Sequence, residues 1–135
     1  MKKLLILLML LPLTSFAQQP FTGQYRNTDL RLRLKVNLYE SFPIPDDEFE
    51  GDNCYGILEG SVNGSWFFMK ILSNEGNKAR VRAVSDSGIE AQTLDLIFNE
   101  EKNSITIKQV DSTNIRGVKN SKYVKLPKNI VFNKL

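Results

Sequence analysis

Between residues 40 and 52 the chain carries Glu40, Asp46, Asp47, Glu48, Glu50 and Asp52, with no Lys or Arg among them. Oxygen donors at this density suit a hard cation such as Ca²⁺, which takes several carboxylates or carbonyls. The same acids can instead rim an apolar patch of Phe42, Ile44 and Phe49 and steer it to a basic protein surface. The spacing does not reproduce an EF-hand loop, because Gly51 lacks the upstream ligand register that motif needs. The plainest alternative is a solvated acidic loop. No metal is assigned, and the expected protein-binding set is Phe42, Ile44, Asp46, Asp47, Glu48, Phe49 and Glu50.

A second constellation is basic. Arg31, Arg33 and Lys35 share one parity, and Arg80 and Arg82 repeat that pattern later in the chain. If their strands are neighbours, Arg31, Arg33, Arg80 and Arg82 form an anion-binding stripe for phosphate or carboxylate. If the strands are apart, these are ordinary wet faces. Residues 102–135 also hold eight Lys or Arg against Asp111 alone. The run Trp66, Phe67, Phe68 and Met69 reads mainly as core. Alternate members, Trp66 and Phe68, are the candidates for lining a small apolar ligand pocket.

Catalysis has little to work with. The chain contains no His and a single Cys. His-based acid–base chemistry, His-containing metal sites, an internal disulfide and a Cys cluster are all excluded. Ser–Lys and paired-carboxylate chemistry remain formally open, but no G-x-S-x-G, S-x-x-K, P-loop or dinucleotide-binding glycine pattern supports them. No enzyme activity and no cofactor are expected. Cys54, beside an apolar segment, reads as a buried inert thiol, with an intermolecular disulfide as the alternative.

The N-terminus sets the compartment. Lys2 and Lys3 precede the apolar run Leu4 to Leu11, and Ser15-Phe16-Ala17 supplies small residues at a cleavage point after Ala17. This is the order of a secretory signal peptide over residues 1–17, in a stretch too short to span a membrane comfortably. Removal of Lys2 and Lys3 takes the formal charge from +3 to +1 and leaves residues 18–135. Nucleic acid is therefore not an expected partner, and no stable membrane insertion follows cleavage. A periplasmic or secreted location is expected.

The elements that must position these residues are strands. Leu30, Leu32, Leu34, Val36 and Leu38 alternate with charged and polar residues, a period of two with one dry face. A short strand is expected within 21–28. Pro43 and Pro45 break the pattern and put residues 41–53 in a loop. Cys54–Val62 and Ser65–Leu72 read as a hairpin turning at Asn63-Gly64. Gly56, Leu58, Gly60 and Val62 share a face there, the glycines marking curvature or close packing. The segment 66–72 barely alternates, so both its faces are expected to be covered.

Further strands are expected at Lys78–Val84, at 89–98 with a bulge near Gln92 and Thr93 (a short helix through Glu90–Leu96 being the alternative), at Ser104–Val110, and finally at Ser121–Leu126. A tail from about residue 127 would then cross a barrel mouth or an edge. The sum is one all-β domain over residues 18–135, a small antiparallel meander barrel of about eight strands, with a two-layer β-sandwich as the alternative. The layout resembles that of compact lipocalin-like barrels, in arrangement alone. The function this supports is a noncatalytic binding protein that recognises an envelope or secreted protein through the 41–53 loop. The alternative is carriage of a small apolar ligand in a barrel pocket.

Overall fold

The computed structural model describes residues 19–135, so the expected leader lies outside the described residues. The strands are β1 (Thr22–Asn27), β2 (Leu32–Asn37), β3 (Phe42–Pro43), β4 (Asn53–Cys54), β5 (Gly56–Gly60) and β6 (Trp66–Glu75). They continue with β7 (Lys78–Ser85), β8 (Ala91–Asn99), β9 (Ser104–Val110), β10 (Gly117–Lys119), β11 (Lys122–Val124) and β12 (Asn129–Lys134). Eight of them form a closed antiparallel barrel in the order β1-β2-β5-β6-β7-β8-β9-β12, and β12 pairs back onto β1. This is the expected up-and-down meander. Closure leaves the eight-stranded wall without a free edge.

Period two decides the wall. Leu32, Leu34 and Val36 of β2 point inward with Arg33 and Lys35 outside, and β7 repeats the arrangement with Ala79, Val81 and Ala83. Apolar side chains inside and charges outside are the reverse of a lipid-facing barrel wall. Among the described residues no helix is long and apolar enough to cross a membrane. Large and small residues interlock in the interior. Phe68 is in register with Ala83, and its ring lies so close over Gly56 that an added Cβ there would sit 2.3 Å from the ring. The glycine expected to mark close packing does so, beneath an aromatic ring.

One barrel end is closed by Phe21 and Leu38, whose backbones are hydrogen-bonded, with the Phe21 ring edge-on to Phe98 at 6.2 Å. The other end is closed by Ile115 and Leu126, from the long connection between β9 and β12. Glutamines hold this connection down. Gln92, fully buried, donates its amide to the carbonyls of Thr93, Val110 and Ser112 and accepts from Ser112 Oγ and the Asn114 N–H. Gln109 exchanges both amide groups with the backbone of Ile115 at 2.9 Å.

Three expectations change. The leucine ladder enters the barrel at Leu32, because the chain reverses through Thr28–Arg31, with Arg31 at φ 57 and Asn27 Oδ1 accepting from the Leu30 N–H. The phase break expected as a bulge in β8 is none: β7 and β8 pair without interruption, and Gln92 simply continues the inward face as a polar residue. The register shifts lie in β6, between Phe68 and Lys70 and between Ile71 and Ser73. Finally, residues 121–126 do not form the last wall strand. Lys122–Val124 pairs with β10 in a small separate hairpin, and the tail supplies the closing strand β12, with Ile130 and Phe132 inward.

The Asn63-Gly64 turn is also wider than a two-residue hairpin. Residues 61–65 join β5 to β6, and Asn63 bonds through its side chain to Arg116 N–H and the Asn114 carbonyl. Tertiary partners from the mouth segment take over the turn's polar groups.

Candidate functional site: the clamped acidic loop

The 38–55 connection leaves the barrel at the Phe21 end and lies along the outside of the wall. Its two arms form a ribbon, Phe42 opposite Cys54 and Pro43 opposite Asn53. Between the prolines, the Ile44 N–H bonds to the Asp52 carbonyl at 3.0 Å; beyond them, the Asp52 N–H bonds to the Phe49 carbonyl at 2.9 Å and the Phe49 N–H to the Asp46 carbonyl at 3.0 Å. The carboxylate of Asp46 accepts from the Glu48 N–H at 3.0 Å and so caps the single 3-10 turn Asp47–Phe49. Gly51, at φ 87, makes the return. The loop is therefore ordered by its own hydrogen bonds.

Its underside is apolar. Ile44, Cys54, Ile57 and Phe67 form a second core, separate from the barrel interior, and Phe42, Phe49 and Met69 pack against it. Ile57 and Phe67 are register partners on the outer face of β5 and β6, and the Phe49 ring meets Phe67 edge-on at 5.3 Å. Lys35 Nζ sits 4.7 Å over the Phe42 ring, a cation–π contact from the neighbouring strand. This explains why residues 66–69 scarcely alternate: Trp66 and Phe68 fill the interior while Phe67 and Met69 are covered from outside. Ile44 is only 6% exposed, and burial of such a side chain stabilises by roughly 1.5–3 kcal/mol. The loop is clamped.

The expected protein-binding residues thus divide. Ile44 is spent on the chain's own wall. Phe42 and Phe49 are half-buried, one side on the wall. Asp46 is a structural cap, whereas Glu48 and Glu50 are exposed, as are Glu40 and Asp52. Asp47 contributes its backbone to the 3-10 turn. Among the described residues no three acidic or thiol side chains gather in a metal-sized cluster.

The arginines are not brought together. β2 and β7 are separated by β5 and β6. Arg33 pairs with Glu59 at 3.5 Å, Arg82 donates to Thr93 Oγ1 at 2.7 Å, and Arg31 lies in the β1–β2 turn. Arg80 makes a two-point contact with Asp95, Nε to Oδ1 at 2.7 Å and Nη2 to Oδ2 at 3.1 Å. That hydrogen bond from Arg80 holds the Asp95 carboxyl below the usual carboxylate range, against the effect of its partial burial. The four arginines therefore do not make one continuous stripe.

Trp66 and Phe68, expected at a ligand pocket, are both 0% exposed inside a packed barrel. A cleft of ≈ 10 Å³ reaches from Pro127 and Lys128 past Leu126 to Leu58, Leu94 and Ile107, room for at most about one water. Cys54 is a buried free thiol, and burial pushes its pKa up. What sequence reasoning missed is the glutamine pair, Gln92 and Gln109, that pins the mouth segment. Its one sequence signal, a polar residue where the apolar phase slips, looks the same as a bulge.

No protein-family model matches the chain, and comparison with curated proteins and with solved structures gave no match.

Proposed function

We propose that this chain is an exported, noncatalytic binding protein, working in the periplasm or outside the cell, whose clamped loop recognises a basic surface on another protein. One observation carries the reading: the 41–54 loop is bound to the outer wall by a core of its own, so its exposed acids are held in place before any partner arrives. A preorganised surface loses less conformational entropy on binding than a mobile loop. Glu48, Glu50 and Asp52 supply the negative field that steers a cationic partner, and the open edges of Phe42 and Phe49 supply apolar contact beside it. The filled interior directs recognition to the outside of the barrel.

Charge reversal is the cleaner test, since truncating Phe42 or Phe49 would also loosen the clamp. Glu48→Lys/Glu50→Lys/Asp52→Lys should abolish capture of a cationic partner from envelope or culture extract while leaving the unfolding free energy within about 0.5 kcal/mol of the parent. Capture by the parent should weaken as salt rises, as expected of exposed charges. Unchanged capture by the triple variant would remove the loop from the interface.

A further inference from the structure

The connection between β9 and β12 does more than plug the barrel. It crosses the mouth as two arms, residues 111–116 and 125–128, with the β10–β11 hairpin between them in sequence. An open groove runs between the arms in two adjoining lobes. One, of ≈ 330 Å³, touches Ile115, Arg116, Tyr123 and Val124. The other, of ≈ 480 Å³, touches Asp111, Ser112, Pro127 and Lys128. Gln109, Thr113, Lys125 and Leu126 line both. Each lobe has the volume of an ordinary small-molecule site, which is about 300–1,000 Å³.

The two sides of this groove differ in chemistry. Its floor is Ile115 and Leu126, members of the barrel core, with Pro127 beside them. The cleft of ≈ 10 Å³ lies directly beneath. Its rim is cationic: Arg116, Lys125 and Lys128 are all exposed, against the single carboxylate of Asp111. Among the described residues none of these three cations forms a salt bridge. The Arg116 guanidinium is instead placed over the Tyr123 ring at 5.8 Å, and that ring is 65% exposed. The Gln109 amide is held in place, one N–H and its oxygen bonded to the backbone of Ile115. An apolar floor with an unpaired cationic rim selects a molecule of the opposite pattern.

We propose that the groove binds a small amphipathic anion, a carboxylate bearing a short alkyl chain. Its head meets Lys125, Lys128 and Arg116, and its tail lies along Leu126 and Pro127. Neither half suffices alone. A simple anion leaves Pro127 and the open edge of Leu126 uncovered, and a neutral alkyl chain leaves the cations without a counter-charge. The site is at the opposite end of the barrel from the root of the acidic loop, so it stands or falls independently of the protein-recognition reading.

The test is an amide chemical-shift titration of the ¹⁵N-labelled purified protein with sodium decanoate below its micelle concentration, beside decanol and inorganic phosphate. Saturable shifts confined to residues 109–116 and 123–128 are expected for decanoate, with decanol and phosphate weaker by at least about tenfold. Lys125→Glu/Lys128→Glu, both surface changes, should weaken decanoate at least about tenfold, whereas Lys102→Glu at the other barrel end should leave it unchanged. The proposal is overturned if phosphate or decanol matches decanoate, if the shifts fall elsewhere, or if the double variant binds as the parent does with its fold intact.

Discussion

At the scale of single residues, the mouth of the barrel depends on Gln92. One side chain satisfies three backbone carbonyls, a hydroxyl and an N–H at a fully buried position. Gln92→Leu keeps the volume and removes every partner, so the cost is the desolvation of the groups left behind, not the loss of one bond. A destabilisation of about 2–4 kcal/mol is expected from urea unfolding, with faster amide exchange across residues 112–116. Nothing in the sequence distinguishes this glutamine from a bulge residue, because its role depends on a segment twenty residues away. Asp95 gives the matching prediction for pH. Its carboxyl ionises at lower pH in the folded chain than in the unfolded one, held down first by the Arg80 hydrogen bond. It therefore adds stability above its unfolded value of about 3.9, and that contribution is lost as pH falls through the folded value. Asp95→Asn should lower stability near neutral pH and flatten the acid limb of a plot of urea midpoint against pH. A limb as steep as the parent's would place the acid sensitivity in other carboxylates.

The elements were legible where one face is dry and the other wet. β2, β7 and β9 announce themselves through alternation, because burial on one side alone dictates it. Where tertiary contact covers the second face, alternation fades, as in Trp66–Met69. The sequence then signals cover without revealing what supplies it. The acidic loop was conspicuous by composition, and Phe42, Ile44 and Phe49 are expected there as partner anchors, although the same apolar side chains can equally serve as wall contacts. Only the fold, which lays the loop on Ile57 and Phe67, separates the two. The clamp itself can be measured, because Cys54 lies beneath it as a buried thiol. Phe49→Ala removes the ring that packs on Phe67. It should raise the rate of Cys54 modification by a thiol reagent about tenfold with little change in global unfolding, the pattern of a local opening. Rates that track global unfolding in both proteins would mean that loop and barrel open together.

For the whole molecule, strand order settles what residue patterns leave open. The arginines of β2 and β7 form no single stripe because two strands stand between them, and the closing strand is the tail, not the preceding lysine-rich segment. Charge is nonetheless divided along the barrel axis. The acidic loop is rooted at the end that also carries Glu75, Glu100 and Glu101, while Arg116, Lys119, Lys122, Lys125 and Lys128 crowd the other. On the proposed reading, a packed interior with an acidic loop rooted at one end and a lysine-rich mouth segment at the other is a scaffold that works by its outside. Native mass spectrometry of the protein isolated from its source, compared with Glu48→Lys/Glu50→Lys/Asp52→Lys, tests this most directly. A polypeptide adduct on the parent that dissociates with salt and is missing from the variant is expected. A polypeptide adduct that persists on the variant, or an apolar molecule released only when the barrel unfolds, would contradict that reading.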